Sequence, residues 1–210
     1  MYSSKKRLYK ESIVDSFYNC HINGPVIVTA LTGPNFDRIA QLAYSSLQPI
    51  EINSYEVDKQ TFEKQCFQLQ HTLNDDIAQI CNLYLQDINK CIVSNFMDID
   101  LMGTILTQGN TIRQLLEQQS YLEGTKVFIG TFAIRRAGLE PTLNYIRNTV
   151  GLLLKSRVYI SKNNVEKQSS GPLLFKHKHE TIVSKRIQKL DVYHYSDKEG
   201  CMVTFRIIYE

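Results

Sequence analysis

The apolar residues of this chain change period several times, and each change marks an element. Residues 25–32 form a short β-branched run, entered through Gly24-Pro25 and closed by Gly33-Pro34. That is how a strand buried on both faces reads. Phe36, Ile39, Leu42 and Ala43 then fall at helical spacing, with Asn35 as the expected N-cap. The alternation continues with strands predicted over residues 50–57, 77–85, 91–97 and 126–132, and helices over 60–70, 110–121 and 137–154. Pro141 lies near the start of the last helix, where proline is tolerated.

Strands alternating with helices predict an α/β fold with a mostly parallel, doubly wound (Rossmann-like) sheet and helices on both faces. The chain end departs from this rhythm. Residues 190–195 and 201–209 are strand-like and separated by Ser196-Asp-Lys-Glu-Gly200, a terminal antiparallel hairpin. A single domain over residues 1–210 is expected, with the α/β core in 26–154, a basic insertion in 155–189 and the hairpin in 190–210.

Composition narrows the class. Hydrophobic content of 43% and charge of 21% are ordinary for a globular protein. No apolar run approaches the roughly 18 residues that a membrane-spanning helix needs, so no membrane partner and a cytoplasmic location are expected. The five cysteines are scattered without a C-x-x-C pair, and His177 and His179 have no clustered acids or cysteines beside them. No metal site is expected. The net charge of +3 is small, but its distribution is not even. Lys176, Lys178, Lys185 and Arg186 sit in a stretch with few acids, and Arg135 and Arg136 follow the fifth predicted strand. Those six cations are the candidate phosphate contacts of a nucleic acid, tRNA or DNA; a solvated loop is the competing reading of the 155–189 stretch, and a nearby acid the competing partner of Arg135 and Arg136.

Open α/β sheets bind ligands beyond the carboxyl ends of their strands, and the chemically distinctive residues fall there. Thr32-Gly33 turns the chain into a helix whose N-terminus favours a negative group. Glu56 ends the second strand, at the spacing from a glycine turn where an acid holds a ribose diol. Asp58 is its rival. Asp87, at the third strand end, is a candidate for an adenine amino group or for a plain turn. The run Asp98-Ile-Asp-Leu-Met-Gly-Thr104 places two carboxylates at alternating positions, ahead of a glycine that permits close backbone approach.

The strand order, the acid after the second strand and the terminal hairpin resemble the class I S-adenosylmethionine-dependent methyltransferases. Within them, Thr32-Gly33-Pro-Asn-Phe-Asp-Arg38 and Asp98-Ile-Asp100-Leu-Met-Gly103-Thr104 are similar to the T-G-x-x-x-x-R and D-x-D-P-F-G-S patterns of tRNA guanine-N2 methyltransferases. The second pattern is kin to the D-P-P-Y motif of amino-methylating DNA enzymes. The resemblance implies S-adenosylmethionine as cofactor, held by Thr32, Gly33, Glu56 and Asp87. It implies methyl transfer to an exocyclic amine of a nucleic acid, with Asp100 and the Leu101 carbonyl accepting from the amine and Asp98 orienting the loop or lying beneath the cofactor. Leu101 and Met102 stand where the pattern has proline and an aromatic residue, and Gly33 is alone where most class I enzymes have several glycines. An inactive, methyltransferase-like binding protein is therefore the alternative expectation.

Overall fold

The computed structural model describes residues 13, 15–101, 103–134, 138–153, 173–177, 187–197 and 200–210. Among them, β1 (Ile27–Ala30), β2 (Glu51–Glu56), β3 (Cys81–Leu85), β4 (Phe96–Asp100) and β5 (Lys126–Ala133) are mutually parallel. The helices α1 (Phe36–Leu47), α2 (Lys59–His71), the single turn α3 (Asp75–Ala78), α4 (Ile105–Gln119) and α5 (Leu139–Leu153) connect or follow these strands. β6 (Leu173–His177), β7 (Ile187–Asp197) and β8 (Gly200–Tyr209) complete a sheet of order β3-β2-β1-β4-β5-β8-β7-β6. The last strand in sequence thus enters between β5 and β7 and runs antiparallel to both.

Two apolar layers explain the alternation. Val28, Ala30, Ile52, Phe96 and Ile129 face Phe36, Ile39, Ala40 and Ala43 of α1, together with Phe17 and Tyr18. Met97, Ile99, Phe128 and Ile207 face Ile112, Leu115 and Leu116 of α4 and Leu143, Ile146 and Val150 of α5. With helices on both faces, the central strands bury both sides, which is why their sequence shows little polar alternation.

Three predicted boundaries are wrong, two because side chains take backbone groups that a strand ladder would use and one because a cap starts a helix early. The third strand was expected from residue 77, but Asn74 caps a helical turn by accepting from the Ile77 N–H at 3.0 Å, so β3 starts at Cys81. The fourth was expected over 91–97. The Ile92 carbonyl instead accepts from Thr29 Oγ1 at 2.8 Å, and the Ile92 N–H donates to Tyr55 Oη at 3.0 Å. Asn95 then takes the Ile27 N–H and donates to the Pro25 carbonyl, setting β4 beside β1. The helix expected over 110–121 begins five residues earlier, where Thr107 Oγ1 accepts from the Thr104 N–H. Asn35 occupies the N-cap position of α1 without a side-chain bond. Part of the 155–189 stretch is also ordered into the sheet, as β6 and the start of β7.

Buried polar groups tie the layers together. Gln119 Nε2 donates to the Ser94 and Val127 carbonyls, and its Oε1 accepts from Tyr209 Oη at 2.8 Å. Arg206 on β8 holds Asp191 on β7, donates to the Phe17 carbonyl at 3.2 Å and lies over the Phe17 ring. These contacts fasten residues 15–18 to the sheet. Burial pushes the Cys81 thiol up to about 12 and the Cys91 thiol up to about 11, so both remain protonated at neutral pH and serve as small apolar groups.

Gly130 on β5 lies beneath the ring of Phe205, and a Cβ there would stand 2.4 Å from Phe205 Cε1. Gly130→Ala is expected to destabilise the protein by about 1–3 kcal/mol through overpacking. Urea denaturation of the two proteins checks this.

Candidate functional site

The strand order reverses at β1: β2 lies on one side and β4 on the other. The chain leaves β1 towards one face as α1 and leaves β4 towards the other as α4. A crevice must open between the two departures. It is a cavity of about 770 Å³, within the size range of small-ligand sites.

Each wall comes from a strand end. Leu31, Thr32, Gly33 and Asn35 follow β1; Glu56, Val57 and Asp58 follow β2; Asp87, Ile88 and Asn89 follow β3; Asp100 and Leu101 end β4. Gln108 and Thr111, one helical turn apart, face it from α4. The residues expected at the site, Thr32, Gly33, Glu56, Asp87 and Asp100, are thus brought together from positions spread over 69 residues of chain.

The turn after β1 is a 3-10 segment, Gly33–Asn35, with Gly33 at φ +55°. Only glycine adopts that conformation without strain. The space a Gly33 Cβ would enter is open, with no atom within 4 Å, so backbone conformation, not crowding, is what calls for glycine here. Gly103, at the end of the Asp-Ile-Asp-Leu-Met-Gly run, has a different reason to be glycine. A Cβ there would lie 2.5 Å from Gln108 Cγ, because the first turn of α4 folds back over it.

The carboxylates are held by their own chain. Glu56 Oε1 accepts from the Val57 and Asp58 N–H groups at 2.8 and 2.9 Å. Asp87 Oδ1 accepts from the backbone and side-chain amides of Asn89, both at 2.8 Å. Asp58, the rival to Glu56, caps α2: its Oδ1 accepts from the Thr61 N–H and Oγ1 at 2.8 Å each. Those bonds hold the Asp58 carboxyl below its ordinary value.

The two aspartates of the β4 motif part company. Asp100 lines the cleft. Asp98 is buried on the α1 side of the sheet, where its Oδ2 accepts from Tyr18 Oη at 3.2 Å and its backbone carbonyl accepts from the Leu31 N–H at 2.9 Å. Burial, and then the Asp98 charge, push the Tyr18 phenol well above its ordinary range, so Tyr18 stays a donor. Asp98 thereby joins the β1 and β4 ends to the N-terminal segment.

Of the cationic candidates, Lys176 falls on the edge strand β6, remote in strand order from β1. Arg135, Arg136, Lys178, Lys185 and Arg186 lie outside the described residues, as does Met102. No group of three or more His, Cys, Asp or Glu side chains suited to a metal occurs among the described residues, and none of their helices is long and apolar enough to cross a membrane. Sequence reasoning missed Gln108 and Thr111, and also Gln65 and Gln68 on α2, which bond the Thr32–Pro34 turn from behind. A signal was present: with Phe62 and Leu69, Gln65 occupies the apolar stripe of α2, and a polar side chain there needs a partner.

No protein-family model and no curated protein matches the sequence. Solved structures do match the fold. A precorrin-6y C5,15-methyltransferase from Geobacter metallireducens aligns over 93% of this chain and 85% of its own, at 10% identity and TM-score 0.51. M. jannaschii TYW2, solved in complex with AdoMet, aligns over 100% and 78% at 11% identity and TM-score 0.53. A Clostridium thermocellum protein assigned as an rRNA methylase aligns over 100% of both chains at 10% identity and TM-score 0.52.

Tyr18→Phe removes the phenolic donor to the buried Asp98. It is expected to lower stability by about 1–3 kcal/mol, which chemical denaturation measures.

Proposed function

We propose that this chain, whose fold is that of the class I S-adenosylmethionine-dependent methyltransferases, binds S-adenosylmethionine in the β1/β4 crevice and methylates an exocyclic amine of a nucleic acid. One observation carries the cofactor reading. The cleft is lined by four carboxylates, Glu56, Asp58, Asp87 and Asp100, and by no Lys, Arg or His among the described residues. A pyrophosphate placed there would meet several carboxylates and, among the described residues, no cation to offset its charge. An adenosyl group joined to a sulfonium cation needs no such offset.

The walls suit the parts of such a ligand. Glu56, with Oε1 already anchored to its own backbone, presents a carboxylate to a ribose diol. Asp87 presents one to an adenine amino group between the apolar Val57 and Ile88. The turn Thr32-Gly33 receives the amino-acid end. When bound, the cofactor supplies a methyl group on a positively charged sulfur, ready for in-line displacement.

What the chain contributes is placement. Asp100, at the carboxyl end of β4, accepts an N–H of the incoming amine. That localises the nitrogen lone pair towards the methyl donor and gives the departing proton a base. Holding the two reactants in one orientation removes much of the entropic barrier. Asp98 supports this as a positioning residue, fixing the β4 end through Tyr18 and Leu31. The nucleic-acid reading draws on the similarity of the motif at residues 98–104 to amino-methylating enzymes, on the fold shared with the rRNA-methylase-like protein, and on the cations of residues 155–189 and at Arg135 and Arg136. Because the cleft lining holds no cation among the described residues, substrate phosphates would stay outside it, with Lys176, Lys178, Lys185 and Arg186 as candidate contacts.

Calorimetry with S-adenosylmethionine and its demethylated product tests the site: binding is expected, weakened at least about tenfold by Glu56→Ala through loss of the diol acceptor. Asp100→Ala is expected to retain binding but slow tritiated methyl transfer to total RNA or DNA by about 10²-fold or more. Failure of the wild-type protein to bind either ligand would overturn the reading, and binding without transfer to any nucleic acid would leave a cofactor-binding protein of another kind. Replacing the four cations of residues 176–186 by alanine should reduce the salt slope of single-stranded RNA affinity by roughly 3.

A further inference from the structure

Many ligand-binding turns of this kind keep their shape through several glycines, and this one has a single glycine. Gln65 and Gln68 of α2 lie behind it. Gln65, fully buried, donates from Nε2 to Thr32 Oγ1 at 3.1 Å and to the Gly33 carbonyl at 2.8 Å. Gln68, 8% exposed, donates to the Pro34 carbonyl and to Asp37 Oδ1, both at 3.0 Å. Thr32 Oγ1 also shares a hydrogen bond of 2.8 Å with Ser54 Oγ on β2.

We infer that Gln65 and Gln68 are positioning residues that hold the Thr32–Pro34 turn in its ligand-receiving shape, and so set the affinity for S-adenosylmethionine and its product without touching either. This rests on the cofactor reading above. Gln65 gives its amide donors to the turn and Gln68 divides them between the turn and Asp37 at the start of α1, while Gln65 Oε1 and Gln68 Oε1 are buried without a protein partner. A buried acceptor left unpaired is costly, and a methionine or leucine in either place would pack in α2 without that cost. The donors therefore act on the turn, since the glutamines add little to the core.

The chemistry served is electrostatic as well as steric. The Gly33 and Pro34 carbonyls are directed to side chains that do not line the cleft. Two partial negative charges are thereby compensated on the side away from the ligand, where a carboxylate of the amino-acid end is expected. Without the clamp, the positive φ of Gly33 is one of many conformations open to glycine, and binding must then select it.

Gln65→Met preserves length and removes the donors. In the ligand-free protein it is expected to leave the denaturation midpoint near that of the wild type, while backbone amide exchange at Gly33, Asn35 and Phe36 accelerates at least about tenfold. Calorimetry with the demethylated cofactor, S-adenosylhomocysteine, is expected to show affinity weakened at least about tenfold, with Gln68→Met in the same direction. Gln68→Met substitutes as the test protein if Gln65→Met does not fold. A folded variant with wild-type exchange at Gly33, Asn35 and Phe36 overturns the clamp. Accelerated exchange with unchanged affinity overturns its role in binding. A wild-type protein that binds neither cofactor form fails the methyltransferase reading, while the exchange arm still decides whether the glutamines hold the turn.

Discussion

The site depends on one topological constraint, the reversal of strand order at β1. Because α1 and α4 must cover opposite faces of the same sheet, the chain leaving β1 and the chain leaving β4 diverge, and nothing from either layer fills the space between them. The Leu31 N–H to Asp98 carbonyl bond of 2.9 Å extends the β1/β4 pairing to the brink of that space. Buried Asp98 and its Tyr18 donor brace the same point from the α1 side. The crevice is thus a product of how two apolar layers are covered, and ligand chemistry is added at its rim.

At the rim, the recurrent device is a side chain whose hydrogen bonds are settled locally before any ligand arrives. Glu56 is anchored by the next two amides, Asp58 by Thr61 and Asp87 by Asn89. Local anchoring lets several carboxylates share one cleft, since each draws compensation from nearby N–H dipoles. It also reconciles readings that compete at the level of sequence. Asp58 is a helix cap, and Asp87 is a turn aspartate that still lines the cleft. The opposite wall follows the same logic from a distance, with α2 glutamines supplying donors to the turn after β1.

The boundary errors have the same origin. Residues 77–80 and 91–94 are apolar enough to read as strands, and the side chains of Asn74, Thr29, Tyr55 and Gln119 bond backbone groups in them. Thr29 and Tyr55 lie 63 and 37 residues away from the backbone they bond, beyond the reach of any local pattern. The early start of α4 at Ile105 was more accessible, because Thr104 and Thr107 sit at capping spacing.

By itself the sequence determined the layer class, the positions of β1, β2 and β5, the terminal hairpin, and the acids at the strand ends. Those follow from short-range rules: apolar periodicity, glycine and proline punctuation, and carboxylates where strands stop. Tertiary structure alone decided that β8 inserts between β5 and β7 and that Asp100 faces the cleft while Asp98 is buried. It also decided that Gln65 and Gln68 serve a turn more than thirty residues away. The physical reason is that a side chain's role depends on the face of the sheet it meets and the donor it finds there. Both are set by packing of distant elements, which a local pattern does not encode.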